Sequence, residues 1–523
     1  VDTYEDLGDY TKKVTLKNPE AQKWIDRASM QLFGFNHPDS IYCAKKALEI
    51  DADIPYAYFL ISYASGPHYN FQDMSAEQYA EANLYLKKGL EKKSLGAPWE
   101  QDLLEALKTR YSDPMPLDAE TRAKHLIAFS KTLKPIYEKY QDDLDICGFY
   151  AESVMLLKPW QLWVNGKPIP EGVEAREVLD KAWKKGYHPL LAHLLIHLLE
   201  LSPCYKEALP VADALLKNSK GVGHLLHMPS HIYIQAGDYQ KSMHCNKLAV
   251  AVDGGTVSRI GINNFTTFYR AHNVQFLIWA AMFAGDFDLA YKNALFLNAE
   301  VVTEEVIAGS PNIIEFFSHT ATHVLIRFGK WDEILALPYE TRPNYKFNAA
   351  FTSYAKVLAY AVKGQAENAE KEMEKFKALT QECPPNRRVG NNTAEKIFEI
   401  CFNMAEGELL YRKKDFDTAF VKLRKSVELY DKLIYCEPWD YMMPTRHALA
   451  ALLLENGRLD ESAKVYQEDL ATNPDNIWSL TGLKECYQKL GKTTEEQEIE
   501  KRLDIVRQVA KTKIKSSCFC KLS

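Results

Sequence analysis

Nine of the fourteen histidines in this 523-residue chain fall between His193 and His323, and seven of those nine are grouped at helical spacing. The groups are His193 with His197, His224 with His227 and His231, and His319 with His323; His244 and His272 stand alone between them. Residues three or four apart share one helix face, so each group can aim its imidazoles at a common point, as a transition metal requires of a helical scaffold. Glu200 follows His197 by three positions on the same face, which would let a single helix supply two nitrogens and one oxygen. Six or more histidines from adjoining helices suit a copper pair, whereas adding Glu200, with Glu152 as a further carboxylate, suits non-haem iron, manganese or zinc. Ligand softness excludes calcium and argues against magnesium.

The competing explanation is packing, since an isolated buried histidine is commonly a hydrogen-bonded core residue. Several pairs on neighbouring helices are harder to place that way, because each buried imidazole needs its own polar partner. The reading favoured by the residues is a metal-dependent oxidoreductase or oxygenase, copper first among the ions. Its ligands are His193, His197, His224, His227, His231 and His272, with His319, His323 and Glu152 as further candidates. A metal-assisted hydrolase using Glu200 as general base to a bound water is the second enzymatic reading. Tyr233, Tyr269, Trp439 and Tyr441 are candidates for the wall of an apolar small-molecule pocket. The chain carries no phosphate loop, no GxGxxG after a strand and no GxSxG elbow.

Those side chains need helices beneath them, and the pattern supplies helices. A turn recurs at a period in the thirties, with a small residue, glycine, a polar residue, an aromatic and then alanine: QAGDYQKSM, FAGDFDLAY, RFGKWDEIL and ENGRLDESAKVY are examples, and RKKDFDTAF is a copy without the glycine. Each reads as the turn of a helix-turn-helix unit, so the expected fold is an all-α, tetratricopeptide-repeat-like helical solenoid. Expected loops are 159–172, 251–264 and 381–392. Pro229 either kinks a helix or opens a new one, which leaves the alignment of His224 and His227 with His231 dependent on that turn. The expected segments are helical repeats over 1–145, the histidine-rich repeats over 146–275, further tetratricopeptide repeats over 276–510 and a basic, cysteine-containing tail over 511–523.

The formal charge of −6 gives no electrostatic case for nucleic acid. No stretch of eighteen apolar residues and no signal-like start is present, so the expectation is a cytoplasmic chain. Ten dispersed cysteines without a CxxC pair read as reduced thiols. The closing residues KTKIKSSCFCKLS add a membrane alternative: Cys520 stands in a C-a-a-X frame, Cys518 could take a second acyl chain, and Lys511, Lys513 and Lys515 form a basic patch. That combination would attach the chain peripherally through lipid.

Longer stretches are more specific than the repeat turns. NPEAQKWIDRASMQLFGFNHPDS, AESVMLLKPWQLWVNGKPIPEG, AHLLIHLLELSP, GHLLHMPSHIYIQAGDYQKSMHCN, FYRAHNVQFLIWAAMFAGD and EPWDYMMPTRHALAALLLENGRLDESAKVYQEDLATNPDNIWSLTGL occur in this order. In these the chain resembles a family of large tetratricopeptide-repeat proteins, mostly bacterial and mostly of unassigned function. The resemblance covers nearly the whole chain and implies helical repeats with a shared pattern at His193, His197, Glu200, His224, His227, His231 and His272. Leu194 and Leu195 depart from it, standing where the family usually carries bulky aromatics. Tetratricopeptide solenoids commonly offer a concave groove to a peptide or protein, so a non-enzymatic scaffold is the reading of a different class. Inner positions rich in histidine and apolar residues, not in Asn, Lys and Arg, argue for a small-molecule or metal site instead.

Overall fold

The computed structural model describes residues 6–116 and 118–522. The described residues are overwhelmingly helical, and the strands among them are two short antiparallel hairpins, Trp163–Val164 with Lys167–Pro168 and Arg388–Val389 with Asn392–Thr393. The all-α, tetratricopeptide-repeat-like class is therefore the observed one. The chain forms two compact units, Val1–Ile232 with Lys247–Tyr269, and Tyr233–Asn246 with Arg270–Ser523.

In the first unit, helical hairpins follow one another along the sequence, beginning with Gln22–Phe33 and His37–Ile50. Proline opens many of the helices: Pro55, Pro98, Pro170 and Pro189 occupy first-turn positions, where a missing N–H leaves no intrahelical bond unmade. Asp143 caps Leu144–Met155 by accepting from the backbone N–H groups of Asp145 and Ile146. Helix Pro189–Leu199 is the interior element. Its sequence PLLAHLLIHLL is apolar on every face, and all of its residues are buried.

The second unit stacks hairpins such as Lys346–Val362 with Ala366–Glu382, Ala394–Arg412 with Phe416–Asp431, and Ile477–Leu490 with Thr493–Arg507. The repeat glycines close first helices as expected: Gly237, Gly285, Gly329 and Gly457 have φ of 80°, 74°, 64° and 82°. In the copy without glycine, Lys414 takes the same left-handed conformation, φ 68°.

One expectation is corrected here. The stretch 251–264, read as a loop because of Gly254 and Gly255, is helical as far as Ile260, within Tyr239–Ile260. A glycine pair costs a helix interior about 2 kcal/mol relative to alanine, but Arg259 is anchored to the buried Asp39 at 2.7 Å and ties down the last turn. The closing segment, residues 511–522, is packed into the second unit. Cys518 and Cys520 are joined as a disulfide while the other eight cysteines form none, and Cys520 is buried. Phe519, Ser517 and Cys520 find partners in the protein. Ser523, the last position of the C-a-a-X frame, lies outside the described residues. No helix among the described residues is long and apolar enough to cross a membrane.

Candidate metal centre

Because Pro189–Leu199 is buried all round, the histidines on it cannot turn to solvent, and their nitrogens must be satisfied inside the protein. His193 is fully buried and its Nδ1 lies 2.6 Å from the Phe33 carbonyl oxygen, so Nδ1 carries the hydrogen. One turn on, His197 directs Nδ1 to Glu200 Oε1 at 2.7 Å. Each ring therefore presents a bare Nε2, and neither Nε2 has a hydrogen-bond partner. A carbonyl or carboxylate on one nitrogen and a free, basic second nitrogen is the arrangement that fixes the tautomer of a metal-ligating histidine.

The third imidazole comes from the short helix Gly223–His227. One ligand atom each of His193, His197 and His224 lie within 4.8 Å of one another. A single ion about 2.0–2.1 Å from three nitrogens needs them roughly 3.3 Å apart in tetrahedral geometry, so modest ring rotations close the site. Burial, reinforced by the charge of neighbouring His197, pushes the pKa of His193 well below its ordinary value. Burial also lowers that of His197, against the pull of Glu200. Neutral imidazoles result, and these are the metal-binding form.

Pro229 does open a new helix, Pro229–Gln235, and this settles how the next two histidines lie. His231 Nε2 is 2.8 Å from His227 Nε2, and His231 Nδ1 is 3.0 Å from Glu200 Oε2. Glu200 thus bridges His197 and His231. Burial alone would raise its pKa, but His231 and His197 outweigh that and hold it below the ordinary carboxylate range. A carboxylate committed to two imidazoles is an orienting group and a poor general base.

The other sequence-selected residues, Tyr269 excepted, lie elsewhere. Glu152 accepts from the Tyr63 hydroxyl at 2.7 Å, and burial pushes its pKa up to about 7. Tyr269 stacks on His224 with ring centroids 4.2 Å apart, which places it at the cluster. His272, Tyr233, Trp439 and Tyr441 belong to the second unit. There Trp439 stacks on Tyr430, and the Tyr441 hydroxyl meets that of Tyr354 at 2.7 Å. His319 and His323 also form a pair of their own in that unit, ring centroids 4.8 Å apart.

Sequence reasoning missed Phe35, His68 and His37. Phe35 is buried with a left-handed φ of 53°, and its ring lies 4.3 Å from His193, 4.9 Å from His68 and 5.9 Å from His197. An aromatic residue held at positive φ is strained, a cost tolerated here where it walls the histidine cluster. His37 and His68 are in edge contact at 4.4 Å, and burial together with Arg110 lowers the pKa of His37 to about 3. His37 lies in the family-like stretch ending NHPDS, while His68 carries no sequence signal.

No protein-family model matches the chain. Among curated proteins it is similar to the N-terminal acetyltransferase A complex auxiliary subunit NAA15 of Arabidopsis thaliana, 24% identical over 307 residues, which is 57% of this chain and 29% of that protein. The chain therefore spans under a third of that relative's length. Similar solved structures include yeast Tom70, at 14% identity and TM-score 0.30 over 94% of this chain and 92% of that one. The human IFIT1 dimer with m7Gppp-AAAA is another, at 12% identity and TM-score 0.29 over 92% and 88%.

Proposed function

We propose that the chain is a helical-repeat scaffold that holds a segment of a partner protein, the class set beside the enzyme reading from the outset. One observation carries it: the second unit already holds a non-helical segment, residues 511–522, against its repeat helices through paired backbone and side-chain contacts. Arg327 donates to the Ser517 carbonyl at 3.0 Å, and Arg412 donates to that of Cys520. A surface that captures main-chain carbonyls with arginines recognises a peptide, not a small molecule. The curated relative is, by its name, an auxiliary subunit of a complex, which agrees with a role within an assembly. The test places a photo-crosslinking residue at Met443, which lines the cleft beside Cys518 and Cys520. A partner protein crosslinked there, and lost on Arg412→Ala, is the expected result; crosslinks to the chain alone would overturn the reading.

A second reading rests on a separate observation, the bare Nε2 atoms of His193 and His197 on rings grouped with His224, one ligand atom of each within 4.8 Å of the others. The first unit would bind one transition-metal ion there, with copper, iron, zinc and manganese all compatible with imidazole ligands. Phe33, through its carbonyl, and Glu200 would orient the rings. An oxidoreductase acting on a small molecule would add a reaction to that ion; Glu200's engagement with two imidazoles weighs against the hydrolase variant. Metal analysis of protein purified without a polyhistidine tag or chelator tests the site, with about one equivalent per chain expected and none overturning it.

A further inference from the structure

The contacts of residues 511–522 are spread along the segment. Gly285 O accepts from the N–H groups of Lys511 at 3.2 Å and Thr512 at 2.9 Å, and Thr512 Oγ1 accepts from Phe287 N–H at 3.1 Å. Ser517 Oγ donates to the His447 carbonyl at 2.7 Å and meets the Tyr466 hydroxyl at 2.6 Å. A turn closes with Lys521 N–H on Cys518 O at 3.2 Å. It projects Phe519 edge-on toward Trp478, ring centroids 6.1 Å apart, and over Gly329, where any Cβ would collide with the Phe519 side chain. Lys521 pairs with Glu485 at 3.0 Å, and Leu522 N–H reaches Glu455 at 2.8 Å.

Beneath the segment Arg327 stands in an unusual state. Its guanidinium is buried against the Trp478 ring at 3.3 Å and makes no ion pair among the described residues. Nη1 meets His447 Nδ1 at 3.0 Å, and His447 Nε2 meets Asp469 at 2.8 Å, so the nearest carboxylate reaches it only through an imidazole. Burial lowers its pKa to about 9. The remaining direct compensation is the Ser517 carbonyl, supplied by the segment itself. A buried cation without an acceptor is costly, because its charge is left without solvent or partner. The groove is thus built to be filled, and one occupant leaves as another enters.

We propose that residues 511–522 are a built-in occupant of a peptide groove, and that a partner segment displaces them using the same pattern: serine, an aromatic two positions on and a base four positions on, carried in a tight turn. This rests on the scaffold reading and names its ligand. The hydroxyl goes to His447 and Tyr466, the aromatic to Trp478 over Gly329, the base to Glu485, and two carbonyls three residues apart go to Arg327 and Arg412. The native segment acts as a competitor, so the intact chain is self-inhibited.

The test titrates full-length chain, intact or carrying Phe519→Ala, into a fluorescein-labelled peptide of residues 511–522 with its cysteines joined, followed by anisotropy. Hydrogen exchange of the intact chain reports the native segment in parallel. The expected result is protected amides in 514–522 and binding about tenfold or more tighter to Phe519→Ala than to the intact chain. Adding Arg412→Ala should abolish that gain, and a peptide with alanine in place of the aromatic should not bind. Equal affinity for both chains, or native amides exchanging as free coil, would overturn the inference. The two readings fail separately. A partner crosslinked at Met443 with equal peptide affinities keeps the scaffold and removes the competitor, whereas peptide exchange with no crosslinked partner keeps the groove and removes the scaffold.

Discussion

In the first unit His193 and His197 stand one turn apart with ring centroids separated by 4.8 Å; in the second, His319 and His323 stand one turn apart at the same 4.8 Å. Both pairs are buried. The surroundings differ. Each ring of the first pair has an acceptor on Nδ1, the Phe33 carbonyl and Glu200, and His224 arrives as a third imidazole. In the second pair only His319 Nδ1 is engaged, by the Phe316 carbonyl, and neither nitrogen of His323 has a hydrogen-bond partner. Phe347, Phe351 and Tyr441 fill the places where further ligands would stand. The carboxylates diverge likewise: Glu200 serves two histidines, whereas Glu315, four residues before His319, is 2.6 Å from Arg387. Identical spacing and burial thus yield an oriented pair with a third imidazole beside it in one place and an aromatic core in the other, and the difference lies in the orienting acceptors and the third ring.

The sharpest way to break this contrast is to remove each pair. His193→Ala with His197→Ala should take bound metal from about one equivalent to none, with helical circular dichroism retained. His319→Ala with His323→Ala should leave the metal content unchanged. Equal losses from both would mean that spacing alone makes the site.

The carboxylates sharpen it next. Glu200→Gln keeps the shape but loses the charge-assisted bonds to His197 and His231, and should weaken metal affinity about 10–100-fold. Glu315→Gln should leave it within about twofold, since that carboxylate serves Arg387. Competition with a chromophoric chelator measures both. No effect of Glu200→Gln would show that packing alone fixes the rings.

Within the first unit, Glu152 provides the counterpart to Glu200. Its folded pKa of about 7 lies above the ordinary 4.5, so between these values the folded chain holds more protons than the unfolded one. Stability from this group is therefore greatest at low pH and is lost as pH rises through that window. Glu152→Gln, which cannot ionise, should remove the slope and gain roughly 3 kcal/mol relative to the parent at pH 8, with little difference at pH 4. Urea unfolding at the two pH values reads it, and a constant difference would show that Glu152 stays ionised throughout.

The parts of this arrangement legible in the sequence are those written in local spacing. Gly285 and Gly329 marked helix ends because only a left-handed residue closes that turn, and HLLIHLLE placed His193, His197 and Glu200 on one face. What was illegible depends on chain reversals. His68 reaches the cluster from a segment with no periodic signal, and Phe35 reaches it through a backbone conformation that its residue type disfavours. The second contact of Glu200 is illegible because one helix shows only His197 beside it, while His231 arrives from another. Residues 511–523 read in sequence as a C-a-a-X frame behind a basic patch, whereas the contacts of 511–522 are made by carbonyls, a hydroxyl and one aromatic ring that a short motif does not weigh.

The smallest expected effect tests the second pair by itself. His323 buries two ring nitrogens without a hydrogen bond, 4.4 Å from the Phe351 ring and 5.1 Å from Tyr441. Burial, with His319 beside it, pushes its pKa well below the ordinary value, so it is neutral and contributes no charge. An imidazole in such surroundings pays for desolvation and recovers only packing. His323→Leu, of similar volume, should therefore be neutral or stabilising by about 1 kcal/mol in urea unfolding. His193→Leu should cost about 1–3 kcal/mol, because it leaves the Phe33 carbonyl without its donor. If His323→Leu were as costly as His193→Leu, the second pair would hold an interaction equivalent to the first, and the contrast between the two units would fail.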